Sequence, residues 1–142
     1  MKIRILLKSL AATVPTYGTD GAACFDLYAA EPVKVYAKQS AVVPTGLAVE
    51  VPWGHAMLIH SRSGHGLKHG IRLANSTGVI DSDYRGEVMV CLHNDSSADY
   101  VVAPGDRVAQ AMIVQAPRVQ FDVAEQLSLT ERSARGFGST GK

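Results

Sequence analysis

Glu87-Val88-Met89-Val90-Cys91-Leu92-His93, followed by Asn94-Asp95-Ser96, decides the fold class. Strand side chains alternate between faces, so Val88, Val90 and Leu92 share one face, opposite Glu87, Met89, Cys91 and His93. The same two-residue period recurs in Lys2-Ile3-Arg4-Ile5, Leu47-Ala48-Val49-Glu50-Val51 and Val119-Gln120-Phe121-Asp122-Val123. Between such runs lie Pro44-Thr45-Gly46, Pro52-Trp53-Gly54 and Pro104-Gly105-Asp106, all with turn chemistry. Short strands at this spacing predict an all-β chain, barrel-like or a jelly-roll-like sandwich. Gly64, Gly66 and Gly70 limit any helix over Ser61–Gly70 to a couple of turns. Ala124–Arg135 lacks an apolar stripe and reads as a connector.

At 142 residues the chain has the size of one domain. A domain of this length buries roughly 68–70% of its unfolded surface and needs no staples. Only Cys24 and Cys91 are present, each among apolar neighbours, which predicts two buried thiols in a reducing compartment, the cytoplasm. The apolar run at the N-terminus is too short for a secretory signal, and no stretch approaches the ~20 apolar residues that span a bilayer. With a formal net charge of +1, no global field draws the chain to nucleic acid or a membrane. Any phosphate chemistry must come from a local cluster.

The densest cluster is Asn75-Ser-Thr-Gly-Val-Ile-Asp-Ser-Asp-Tyr-Arg-Gly-Glu87. Asp81-Ser82-Asp83, flanked by Gly78 and Gly86, reads as a β-hairpin tip. Val79 and Ile80 lead into Asp81, so its carboxylate can sit by a partly desolvated pocket and act as a general base on water. Acidic turn residues making only local hydrogen bonds are the plainer reading of that tripeptide. Ser61-Arg62-Ser63-Gly64 offers a guanidinium, two hydroxyls and an approachable backbone, a set that matches phosphate oxygens or a solvated loop equally. In Gly105-Asp106-Arg107-Val108-Ala109-Gln110, Arg107 fits either a ligand or a structural ion pair with a nearby Asp. His60, His65 and His69 lack the firm helix and intervening Glu of a zinc hydrolase, so no protein-held zinc site is expected.

Gly136-Phe137-Gly138-Ser139-Thr140-Gly141-Lys142 matches the first part of a phosphate-binding P-loop, but no strand precedes it and no helix follows it. Its glycine N–H groups and hydroxyls suit phosphate, and Phe137 suits stacking on a base. An arm that closes over a nucleotide bound elsewhere is the expectation.

Taken in order, these motifs resemble those of the dUTPase family along essentially the whole chain. The five are Gly21 to Ala29, Ser61 to Gly64, Asn75 to Glu87, Pro104 to Gln110 and Arg132 to Gly141. The resemblance implies a distorted jelly-roll, or β-clip, body over residues 1–131 with a lid arm at 132–142. It implies a homotrimer that hydrolyses dUTP to dUMP and pyrophosphate with Mg²⁺. One subunit would supply the second and fourth motifs, a neighbour the third, and the remaining chain the arm.

By the same resemblance, Asp81 activates the water that attacks the α-phosphorus. Asn75, with the backbone of Gly78, Val79, Ile80 and Met89, reads uracil, and Tyr84 stacks under the deoxyribose and excludes a 2′-hydroxyl. Arg62, Ser63, Gly64 and Gln110 hold the triphosphate. Arg132, Phe137, Gly138, Ser139 and Thr140 close the lid. Asp26 orients water around a Mg²⁺ held mainly by substrate phosphates. Cys24, Ser133 and Arg135 stand where the family usually has Gly, which bears on closure of the tail rather than on chemistry.

Two alternatives stand beside this one. A dCTP deaminase-like enzyme would need its catalytic Glu where Cys91 stands, and a thiol cannot replace that carboxylate. A nucleotide-sensing module without turnover would have no need of Asp81 and Arg132, both of which are present.

Overall fold

A computed structural model describes residues 1–136, which form twelve strands and one short, largely exposed helix. The strands are β1 Arg4–Leu7, β2 Thr16–Tyr17, β3 Phe25–Tyr28, β4 Val33–Val35, β5 Ser40–Pro44 and β6 Leu47–Glu50. They continue as β7 His55–His60, β8 Ile71–Leu73, β9 Thr77–Ile80, β10 Met89–Asn94, β11 Tyr100–Val102 and β12 Arg107–Gln115, with α1 Ser63–His69 between β7 and β8. Every pairing is antiparallel. The largest sheet runs β2-β3-β12-β7-β9, a second runs β5-β10-β8, and β1-β6 and β11-β4 form two-stranded ribbons. The result is jelly-roll-like, without closure into a barrel.

Burial along β10 follows the alternation of its sequence. Val90, Leu92 and Asn94 point inward, while Met89, Cys91 and His93 lie on the wetter face. Val88, Val90 and Leu92 join Leu27, Val43, Leu47, Met57, Ile71 and Val108 in the core. Buried polar groups need partners, and Asn94 has a full set. Its amide donates to the carbonyls of Val35 (3.1 Å) and Ala98 (2.8 Å), and its oxygen accepts from Ser96 N–H and Oγ.

Four expectations change. Cys24 and Cys91 are free but only half-buried, because Cys91 alternates with Val90 and Leu92 and so takes the outer face. Leu47, Ala48 and Val49 are all buried, so β6 is covered on both faces despite its alternation. Val119, Phe121 and Val123 form no strand and are exposed, since an alternating segment needs a ladder partner. Finally, Asp81-Ser82-Asp83 does not close a hairpin. β9 pairs with β7 while β10 pairs with β5 and β8, so this turn carries the chain between sheets. Turn chemistry fixes a reversal but not the partner of the next strand. Gly78 aids the actual pairing, as a Cβ there would lie 3.2 Å from that of Ile59 on β7.

Candidate active site

Ser61 and Arg62 join β7 to α1, while Asp26 and Gln110 lie opposite each other on β3 and β12. That geometry gathers a charged cluster at one end of the large sheet. Asp26 Oδ1 meets Arg62 Nε at 3.3 Å, and Oδ2 meets Arg107 Nη1 at 3.2 Å. Arg62 Nη1 donates to the Arg107 carbonyl (3.1 Å) and contacts His65 Nε2 (3.0 Å). Of the two alternatives for Arg107, the structural ion pair is present, with Asp26 as its carboxylate. Gln110 Nε2 donates to the Ser61 carbonyl (3.1 Å), and Ser61 Oγ accepts from Leu73 N–H (2.8 Å).

These bonds fix most of the Arg62 fork without using it up. A guanidinium carries five N–H donors. Nε and Nη1 are engaged within the chain, and among the described residues Nη2 has no recorded partner. Ser63 and Gly64 open α1, where N–H groups have no helical carbonyl behind them. Arg62, Ser63, Gly64 and Gln110 thus sit together with donors available to an anion.

Asp81 stands elsewhere. In the β7–β9 ladder Thr77 opposes His60 and Ile80 opposes Met57, so Asp81 comes next, beside Ala56. It lines an open cavity of about 320 Å³ with Trp53, His55, Ser82, Asp83 and Arg118, and its side chain is exposed. Six residues separate Ala56 from Arg62, the first four along β7, a path of at most about 20 Å at ~3.3 Å per residue. Within one chain the candidate base and the candidate phosphate cradle are at opposite ends of one sheet. The partly desolvated setting expected for Asp81 is not present in one chain alone.

The remaining residues of the third motif lie near Asp81 or along its approach. Ala74 N–H donates to the Cys91 carbonyl, which extends the β8–β10 ladder and sets Asn75 beside Val90 and Met89. Ser76, in the left-handed region (φ 62°), then turns the chain into β9. Tyr84 is fixed by donation from its hydroxyl to the Glu87 carbonyl (2.9 Å), with its ring against Gly86 so closely that no side chain fits there. Val79, Tyr84 and Met89 are exposed. Arg132 is also exposed, and its recorded hydrogen bonds run to Arg135. Phe137, Gly138, Ser139 and Thr140 lie outside the described residues.

Among the described residues, no three of His, Cys, Asp and Glu gather as a metal-holding group. Asp26 offers hard carboxylate oxygens, but both are already paired with guanidinium groups, which leaves room for a role toward hydrated Mg²⁺ through water rather than by direct ligation. His65 has no place in the sequence-based site beyond the rejected zinc reading; its one signal is its position three residues after Arg62.

Antiparallel sheets in an open roll, with an arginine-bearing charged cluster at one end of the largest and a loop carboxylate at the other, define a jelly-roll-like β-protein. More specifically, the chain belongs to the dUTPase family, whose model matches residues 11–141. It is 43% identical to the deoxyuridine 5′-triphosphate nucleotidohydrolase of Nautilia profundicola over 100% of both chains. It is 46% identical to that of an Anaeromyxobacter species, over 91% of this chain and 88% of the relative. Among solved structures, the Staphylococcus bacteriophage 80alpha dUTPase with dUPNHPP superposes with a TM-score of 0.92 at 27% identity, covering 99% of each chain.

Proposed function

We propose that this protein hydrolyses dUTP to dUMP and pyrophosphate in sites assembled between subunits of a homotrimer. The observation that carries the proposal is the separation of Asp81 from Arg62 and Gln110 along one sheet in a chain with all five family motifs. A second copy brings its Asp81 to the first copy's phosphate cradle, and another chain supplies the arm. Val119, Phe121, Val123, Leu127 and Leu129, exposed after β12, give self-association apolar surface to cover.

In this reading Asp81 accepts a proton from water as the water oxygen bonds to the α-phosphorus. The bond from that phosphorus to the bridging oxygen breaks, and pyrophosphate leaves with the electron pair. Arg62, Ser63, Gly64 and Gln110 hold the phosphates in line, so positioning and charge stabilisation carry the chemistry. When bound, Mg²⁺ supplies neutralisation of the developing charge on phosphate oxygens. Asp26 orients its waters.

Asn75 and the backbone of Gly78, Val79, Ile80 and Met89 read the uracil edge, where a mismatched base leaves buried donors and acceptors unpaired. Tyr84, locked by Glu87 and Gly86, stacks under deoxyribose and excludes ribose. Residues 1–131 form the body, and 132–142 are the lid, with Arg132, Phe137, Gly138, Ser139 and Thr140 over the nucleotide. Two free thiols suit the cytoplasm.

The test is pyrophosphate release from dUTP, UTP, dTTP and dCTP, with and without Mg²⁺. Release from dUTP alone, dependent on the metal, is expected. Ammonia from dCTP would instead identify a deaminase, and tight dUTP binding without release would identify a sensing module.

A further inference from the structure

Arg62 is useful to an anion only while its fork is held with Nη2 free, and three contacts hold it. Two of these are an ion pair to Asp26 and a hydrogen bond to the Arg107 carbonyl. The third is to a ring nitrogen, His65 Nε2, at 3.0 Å. A guanidinium only donates, so Nε2 must be the bare, accepting nitrogen and the neutral ring must carry its proton on Nδ1. Among the described residues, Nδ1 is buried without a hydrogen-bond partner. A half-buried ring with an orphaned Nδ1–H is a cost to the fold that the Arg62 contact offsets.

The groups facing His65 come from four places. Arg62 precedes α1, His69 lies on the same helix with its ring 6.3 Å away, and Tyr100 of β11 has its ring at 5.9 Å. Asp106 and Arg107 approach from the start of β12. Two guanidinium groups thus oppose one carboxylate. Burial first, then the Arg62 charge, holds the His65 imidazole below its ordinary range, with Asp106 acting in the other direction. Protonation would put an N–H on Nε2 facing the Arg62 N–H, and the contact would become a repulsion.

We infer that His65 is a positioning residue for Arg62, its neutral Nε2 accepting from Nη1 and keeping the phosphate-binding fork aligned until acid removes that acceptor. This rests on Arg62 holding the substrate triphosphate as set out above. The expected signature is in substrate affinity rather than in chemistry, because His65 touches the cradle and not Asp81.

KM and kcat for dUTP, measured from pH 5.5 to 8.5 in the wild type, His65→Gln and His65→Leu, test this. Comparison between variants cancels the substrate's own phosphate titration. Gln keeps an acceptor at every pH, so the ratio of wild-type to H65Q KM is expected to rise about five-fold towards pH 5.5 with the kcat ratio flat. H65L is expected to show a KM raised about five-fold at pH 8 that no longer tracks acidification relative to H65Q. Identical KM profiles in all three would overturn the inference.

A measurement independent of variant folding is the ¹⁵N chemical shifts of the wild-type His65 ring at pH 7.5. The Nδ1–H tautomer is expected, and an Nε2–H tautomer would refute the arrangement. Absence of dUTP turnover in the wild type would count against the site reading itself, while the tautomer would still judge the Arg62–His65 contact.

Discussion

Asp81 follows β9 directly and faces solvent, in the same open cavity as Asp83 and Arg118. Its proposed work is proton acceptance alone, and general-base catalysis typically contributes 10²–10⁴-fold. Asp81→Asn keeps shape and hydrogen-bonding size but cannot take the proton. Turnover should fall by about 10³-fold while dUTP affinity, read by isothermal titration, changes less than about three-fold. Near-full activity in that variant would remove Asp81 from the role. At His65, the same neutral ring that accepts from Arg62 has a consequence for stability. Its folded-state pKa lies below the unfolded value, so the unfolded chain binds more protons as pH falls through about 6.5 towards the folded value. The contribution is nil above that window and destabilising within it. Urea midpoints should therefore decline on acidification from pH 7 to 5.5 more steeply in the wild type than in H65Q. Asp81 and Arg62 were legible because acid–base and anion-binding chemistry draw on few residue types. His65 was not, because a bond to Arg62 has no sequence mark beyond a three-residue spacing.

At the scale of elements, legibility depended on whether a strand's partner is local. The alternation of Val88, Val90 and Leu92 survives because β10 is central in its sheet, between β5 and β8, with one face on the core. The alternation of Val119, Phe121 and Val123 is as clear, yet no partner strand lies alongside it in one chain. For the Asp81 turn the reversal was legible, while the pairing of β9 with β7, where Gly78 lies against Ile59, was not.

The helix that carries Ser63 and Gly64 survives three glycines because one of them ends it. Gly70 adopts φ 66°, and its N–H returns to the Gly66 carbonyl. A Cβ there would also lie 3.3 Å from Ser96 N. Gly70→Ala should cost about 1–2 kcal/mol, seen as a Tm lowered by several degrees, and would shift the loop that presents Arg62. An unchanged Tm would deny Gly70 this role. Deleting residues 132–142 should lower turnover at least ten-fold and leave the oligomer's sedimentation unchanged. An unaffected rate would reject the lid.

Whole-molecule function turns on the separation of Asp81 from Arg62, which lie at opposite ends of one sheet in a single chain. The proposed cyclic trimer would resolve this by pairing each chain's cradle with the next chain's carboxylate. The consequence can be counted. Mix Asp81→Asn and Arg62→Ala chains in equal amounts, unfold them, and refold them together. Three-quarters of the trimers contain both variants when assembly is random. In each of these, one of three interfaces joins an intact Arg62 to an intact Asp81, while the other two lack at least one of them. Activity should therefore return to about a quarter of the wild-type value from two preparations that are each nearly inactive. Sites built within one chain would give no recovery at any mixing ratio. Sites shared between two chains of a dimer with two-fold symmetry would also recover, since half of random dimers are mixed and each holds one intact site. Sedimentation of the refolded mixture distinguishes that case, because a trimer of this 15.1 kDa chain runs well above a dimer. Recovery in a trimeric fraction would establish that the active site belongs to the assembly, with Asp81 and Arg62 meeting across its interfaces.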